Sequence, residues 1–284
     1  MTSRVISFAG SSVRIESEGL DAERLVEFLC RDLPPSEGPP PHMTLHVRAE
    51  PGAEALTLHC GDKRYYHGNS LGSLASALLE QTIYHLSDKS RGGLVLHAAA
   101  VSMGRRCLLL PGRTGVGKTT LTAWLVKKGF GYLTDELVYV PSGSMEVRPF
   151  VRPLNIKARA RQSLGARILD YEASASQIVS ATDVTLVPSA LLGGGAALAE
   201  ARLGRIVFPQ YQAGAGFAVE PLSRAETGLG LMGCLINARN LPEHGFPEVA
   251  RLAREAPGFH LRYGDFAQLE DWASLLRQRD VKLM

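Results

Sequence analysis

The feature that most constrains this chain is a glycine-punctuated stretch, residues 108–120, reading Leu-Leu-Leu-Pro-Gly-Arg-Thr-Gly-Val-Gly-Lys-Thr-Thr. An apolar run ends at Leu110, three glycines break the chain, and Lys118 opens an amphipathic segment. Gly112, Gly117, Lys118 and Thr119 satisfy the spacing G-x-x-x-x-G-K-[ST]. The spacing needs a strand, a tight turn and a helix in that order, which points to an α/β fold. Glycines let successive backbone N–H groups turn inward, because no Cβ blocks the positive-φ positions. Those donors and the start of the following helix make an anion cradle. Its residues here are Gly112, Arg113, Thr114, Gly115, Val116, Gly117, Lys118, Thr119 and Thr120. The pattern expects Lys118 to reach the β- and γ-phosphates of a nucleotide and the Thr119 hydroxyl to ligate Mg²⁺. At average usage, a chain of this length carries the four fixed positions by chance on the order of 1 % of the time.

The whole chain sets looser bounds. Its 284 residues can hold one large or two small domains. Hydrophobic content of 45 % with 21 % charged residues is that of a soluble globular protein. A formal charge of +3 gives no argument for a nucleic-acid partner. Cys30, Cys60, Cys107 and Cys234 stand far apart with no C-x-x-C pair, so neither a zinc site nor a disulfide framework is signalled. Cys107 reads as a small buried thiol. The first residues lack a signal-like apolar stretch and no run is long enough to span a membrane, so a cytoplasmic protein without a membrane partner is expected. A homo-oligomer is compatible with all of this.

Alternation and periodicity place the elements. Residues 5–8, 13–16, 43–47, 55–60 and 63–66 read as strands, 21–31 and 69–86 as helices, and the Pro/Gly-rich 34–41 as a surface loop. Ser70 is the expected cap of the second helix. Residues 1–90 form a small α+β region without a chemical signature, suited to recruiting a substrate. Residues 91–284 hold the loop and make the second unit. His42, His46, His59, His67 and His85 do not share a ligand-like spacing. Residues 94–101 and 107–110 are expected to form a hairpin leading into the loop, with a helix over 118–128 stopped by Gly129. Further strands are expected at 184–187 and 205–209, with loops over 191–199 and 210–217. A helix capped by Ser223 and Glu226 is expected to run through Ile236, and helices over 248–255 and 266–277 to close the chain.

Three features flank the loop. His97 lies on the neighbouring strand, where position alone suggests a hydrogen-bonded core histidine. Asp135 and Glu136 are adjacent acids inside the strand-like run 131–140, costly to bury without a cation. A regular strand would send them to opposite faces. Residues 148–157 read Arg-Pro-Phe-Val-Arg-Pro-Leu-Asn-Ile-Lys, either an anion-facing edge or an edge strand protected by charge and proline.

The order of His97, an alanine-rich strand, the phosphate loop, its helix and Asp135-Glu136 resembles the catalytic region of HPr kinase/phosphorylase. It looks especially like the related serine kinases, some of which phosphorylate lasso precursor peptides. Residues 97–140 carry the resemblance, with weaker echoes at 152–157 and 221–226. It implies a P-loop kinase domain of the HPr kinase/phosphoenolpyruvate-carboxykinase-like type, using ATP and Mg²⁺ to phosphorylate a serine of a peptide or small protein. It implies that Lys118 binds phosphate, that Thr119 ligates metal, that Asp135 is the general base, and that His97 belongs to the active site. Glu136 stands where the family usually has a second aspartate, leaving metal ligation and orientation of Asp135 both open. The second signature loop and the Glu-Ile-Arg-Gly run of true HPr kinases are missing, so HPr itself is not the expected substrate. A small-metabolite kinase and a non-catalytic nucleotide-sensing module are the alternatives.

Overall fold

Three β-sheets and the helices packed on them make a mixed α/β structure. The computed structural model describes residues 1–49, 55–164, 168–193 and 198–277. Among them no helix is long and apolar enough to cross a membrane.

Strands β1 (Thr2–Phe8) and β2 (Ser11–Glu18) meet at a turn where Ala9 and Gly10 both take positive φ. Helix α1 (Leu20–Cys30) crosses over to β3 (Met43–Ala49), which lies parallel to β2. Strands β4 (Leu56–Cys60) and β5 (Lys63–Gly68) complete a five-stranded sheet in chain order. Helix α2 (Leu71–Asp88) starts at Ser70, whose side chain accepts from the Ser73 N–H as expected. Alternate residues such as Val13, Ile15, Leu45 and Val47 pack with Leu25, Leu29, Leu74 and Leu78 of the two helices. The same core takes in Val95, Leu137, Phe150 and Leu186, so this layer packs directly on the rest of the chain.

The second sheet begins with β6 (Gly93–Met103) and β7 (Arg106–Pro111), the expected antiparallel hairpin. Helix α3 (Lys118–Lys127) follows the loop, and Gly129 beyond it has φ 91°. Strands β8 (Gly131–Thr134) and β9 (Leu137–Pro141) both line the edge of β6, and β10 (Glu146–Pro149) pairs with β9. Strand β11 (Leu154–Lys157), helix α4 (Ala158–Leu164) and strands β12 (Val179–Ser180) and β13 (Val184–Val187) build a small third sheet with its attached helix. Strand β14 (Ala201–Tyr211) returns beside β7, followed by β15 (Ala218–Leu222), α5 (Arg224–Met232), α6 (Phe246–Glu255), β16 (Gly258–Tyr263) and α7 (Glu270–Arg277). β7, β14 and β16 run parallel. Ala99, Val101, Leu108 and Leu110 face the core under α3 and α7. Their neighbours Ala98, Ala100, Cys107 and Leu109 face the core under α5 and α6. Burial on both faces explains why these strands read as continuous apolar runs, and Cys107 is the buried thiol expected.

Three expectations are corrected. The helix after Pro221 stops at Met232 instead of reaching Ile236. β7 covers only the second half of β6, and the chain after Gly233 takes the open edge of the first half. His97 N–H donates to Cys234 O at 2.8 Å, and Ile236 N–H donates to Val95 O at 3.0 Å. Backbone pairing there outweighs the apolar periodicity that favoured helix. The run 131–140 is broken between β8 and β9, at the acid pair. The segment 266–277 is a 3₁₀ turn, Phe266–Leu269, followed by α7. Of the glycine-rich loop expected over 191–199, residues 194–197 lie outside those described.

Candidate active site

The loop has the backbone its glycines predict. Gly115 and Gly117 take φ of 96° and 98°. Gly112 is constrained by contact instead, since a Cβ there would lie 2.8 Å from Val116 Cγ2. Gly117 starts α3 with no capping side chain, so the first-turn N–H groups are left for an outside acceptor. Lys118 is buried, and its Nζ donates to Gly112 O at 2.6 Å and Arg113 O at 3.1 Å. Burial lowers the pKa of its ammonium, against the opposing pull of Glu136. A desolvated cation held by loop carbonyls beside an uncapped helix start fits an entering phosphate.

Across from the loop stand Asp135 and Glu136. The chain kinks between β8 and β9, and the two acids do not diverge as a regular strand would require. One guanidinium meets both: Arg152 Nη2 lies 3.1 Å from Asp135 Oδ1 and 2.7 Å from Glu136 Oε2. Asp135 is buried in the wall of the site. Its Oδ2 accepts from the Asn155 N–H at 3.1 Å. The Tyr132 hydroxyl lies 3.3 Å from Oδ1 and 2.8 Å from Arg152 O, donating to one at a time. Burial, then the Asp135 charge, push the Tyr132 pKa up, so it stays a neutral donor. Glu136 differs: its side chain is 31 % exposed, and Oε1 lies 3.5 Å from His97 Nε2. Burial first and Lys118 second lower the His97 pKa against the pull of Glu136, favouring a neutral ring.

These groups share one cavity of about 820 Å³. Thr114, Gly115, Gly117, Lys118, Thr119 and Thr120 line its loop side, and His97, Asp135 and Glu136 the opposite side. Gly112, Arg113 and Val116 of the loop are not among the lining residues. Lys157, Tyr211 and Phe266 also face this space, with the last two rings stacked at 6.4 Å. No group of three or more His, Cys, Asp or Glu among the described residues could hold a metal unaided. Thr119 and Glu136 line the same cavity and would supply a hydroxyl and a carboxylate to an ion that arrives with phosphate oxygens.

The sequence singled out the loop with Lys118 and Thr119, His97, Asp135 and Glu136, but not Tyr132, Arg152, Asn155, Tyr211 or Phe266. Arg152 lay in the run read as an edge, yet it is 3 % exposed. Its signal was an arginine inside an apolar stretch shortly after two acids that needed a cation. Its Nε and the Asn155 side-chain Oδ1 are buried without a protein partner.

A loop with phosphate-binding spacing and a pair of carboxylates line one cavity, which is the candidate site. No family model and no curated protein sequence matches the chain. Among solved structures, the HPr(Ser) kinase/phosphatase from Coxiella burnetii is similar over 64 % of this chain and 93 % of its own, with 11 % identity and a TM-score of 0.32. The likeness is distant, and the functional reading rests on the residues of the cavity.

Proposed function

We propose that this protein is an ATP-dependent kinase that transfers the γ-phosphoryl group to a serine hydroxyl of a peptide or small protein. One observation carries the reading: a single cavity holds the loop, Lys118 and Thr119 on one side and an arginine-clamped acid pair on the other. Phosphoryl transfer needs charge stabilisation at the phosphates and a carboxylate to receive the acceptor proton, and little else from the protein. Lys118 leaves the loop carbonyls for the phosphates, and the first-turn amides of α3 hold them. Thr119 would hold Mg²⁺ arriving with ATP, joined by Glu136 where Asp135 is the base, and the ion would neutralise the triphosphate charge. Tyr211 offers an exposed ring beside Phe266 for the base.

The sequence resemblance assigns the proton to Asp135. A second reading is favoured by exposure. Both acids are paired, but the Asp135 side chain is buried whereas Glu136 is 31 % exposed to the cavity, so Glu136 receives the proton and Asp135 holds Arg152 in place. Lys118→Ala is expected to abolish transfer of labelled phosphate from ATP. Asp135→Asn and Glu136→Gln separate the two readings: the variant that keeps ATP binding and loses turnover identifies the base. A wild-type protein that binds ATP but phosphorylates no hydroxyl among peptide and metabolite pools would overturn the kinase reading and favour a nucleotide sensor.

A further inference from the structure

A second cavity, of about 730 Å³, approaches the same acids from another direction. One wall is the exposed side of α2, with Glu80 and Tyr84. The other is the segment after α5, with Ile236 and Arg239. Its floor is Glu136, Arg152 and Asn155, and these three also line the loop cavity. Asp135 borders the loop cavity and is not among the residues lining the second. The two spaces thus meet at Glu136, with the phosphate loop on one side only.

The walls are held together before anything binds. Asn240 Nδ2 donates to Ser87 O, Asp88 O and Ser90 O at 3.3, 2.9 and 3.1 Å, fastening the segment after α5 to the end of α2. Arg239 pairs with Asp88 across the same seam. The lining is mixed. Tyr84 is 56 % and Ile236 40 % exposed, large apolar faces bare on the rim. Glu80 is an exposed carboxylate with no ion pair among the described residues, whereas Asp88 already holds Lys89 and Arg239. At the floor, Arg152 Nε and Asn155 Oδ1 are enclosed without a hydrogen-bond partner.

We propose that this second cavity is the acceptor channel, taking an extended peptide whose serine reaches Glu136 while a basic residue meets Glu80 and an apolar residue covers Tyr84 and Ile236. The proposal rests on the phosphotransfer reading above and adds the path, the flanking chemistry and the carboxylate that meets the hydroxyl. A peptide uses this space more fully than a free amino acid would. The space runs from the catalytic acids to the outer side of α2, and a single small acceptor would leave the rim carboxylate and the apolar faces bare. The channel is preformed, so little ordering is needed on binding.

The test uses the full chain, labelled ATP and a positional-scanning library of serine-centred synthetic peptides, with wild type, Tyr84→Ala and Glu80→Lys. Both positions are exposed and lie outside the loop cavity, and unchanged Mg–ATP binding checks that each variant is folded. Wild type is expected to favour Lys or Arg next to the serine. Tyr84→Ala is expected to raise KM for the best peptide about tenfold with kcat nearly unchanged. Glu80→Lys is expected to reverse the flanking preference from basic to acidic. Wild-type transfer with KM and preference unchanged in both variants overturns the channel and leaves the kinase reading standing. Transfer to free serine but to no peptide overturns the peptide occupant. Transfer to nothing overturns the kinase reading and the channel with it.

Discussion

At the scale of single residues, Arg152 organises the chemistry. It is the cation that makes two adjacent acids tolerable in a buried kink, and its guanidinium fixes where both carboxylates point. Removing one member of a buried pair strands the other charge, which costs more than the pair contributed net. Arg152→Met is therefore expected to destabilise the protein by about 3–5 kcal/mol in urea unfolding. Adding Asp135→Asn should recover much of that loss, because no enclosed charge then lacks a partner. A single variant with stability near wild type would show that Asp135 is satisfied without the arginine. Arg152 also marks the limit of sequence reading. Gly112 to Thr119 were legible because the loop is local: spacing alone forces the turn. The need for a cation near Asp135 and Glu136 was legible too. The identity of that cation was not, because it depends on how β10 and β11 return past β8, which no local pattern encodes.

At the scale of elements, the site is the junction of a strand, a turn and a helix, and the turn depends on residues without side chains. Gly115 and Gly104 make a controlled comparison. Both have positive φ, 96° and 59°, and a Cβ would meet nothing within 4 Å at either. Alanine at either position should cost about 1–2 kcal/mol of stability from backbone strain. Gly115 lines the loop cavity, whereas Gly104 sits in the hairpin turn between β6 and β7. Gly115→Ala should therefore weaken Mg–ATP binding measured by calorimetry, and Gly104→Ala should leave it as in wild type. Equal binding in both would separate the loop's conformation from phosphate recognition. Element identity was largely legible, because the apolar runs of β6 and β7 and the cap of α2 are local signals. The end of α5 was missed for a non-local reason. Residues 234–237 complete an edge of β6, and Asn237 accepts from the Val95 N–H at 2.9 Å and donates to Gly93 O at 3.0 Å.

At the scale of the molecule, the N-terminal layer and the loop-bearing sheet are joined through α2, which places His85 in a telling position. The ring is buried under the first sheet, with Nε2 3.4 Å from Cys60 Sγ and the His42 ring 6.3 Å away. Burial first, then His42, lower its pKa below the ordinary 6.5, with Asp88 opposing. A base held neutral in the fold takes up a proton more readily when unfolded, so its contribution to stability is present above the ordinary value and is lost as pH falls through the folded one. His97 shifts in the same direction at the loop cavity. The melting temperature should therefore fall between about pH 7.5 and pH 5.5, a window above the carboxylate range. His85→Gln should flatten that slope in part, leaving the share of His97. Because α2 forms a wall of the second cavity, the same acidification should loosen Asn240 and the end of α2 before the loop-bearing sheet. Amide exchange would read this as faster opening across α2 and β4 than across β6 and β7. A melting temperature independent of pH across that window, or uniform exchange over both layers, would show that His85 titrates without coupling to the fold.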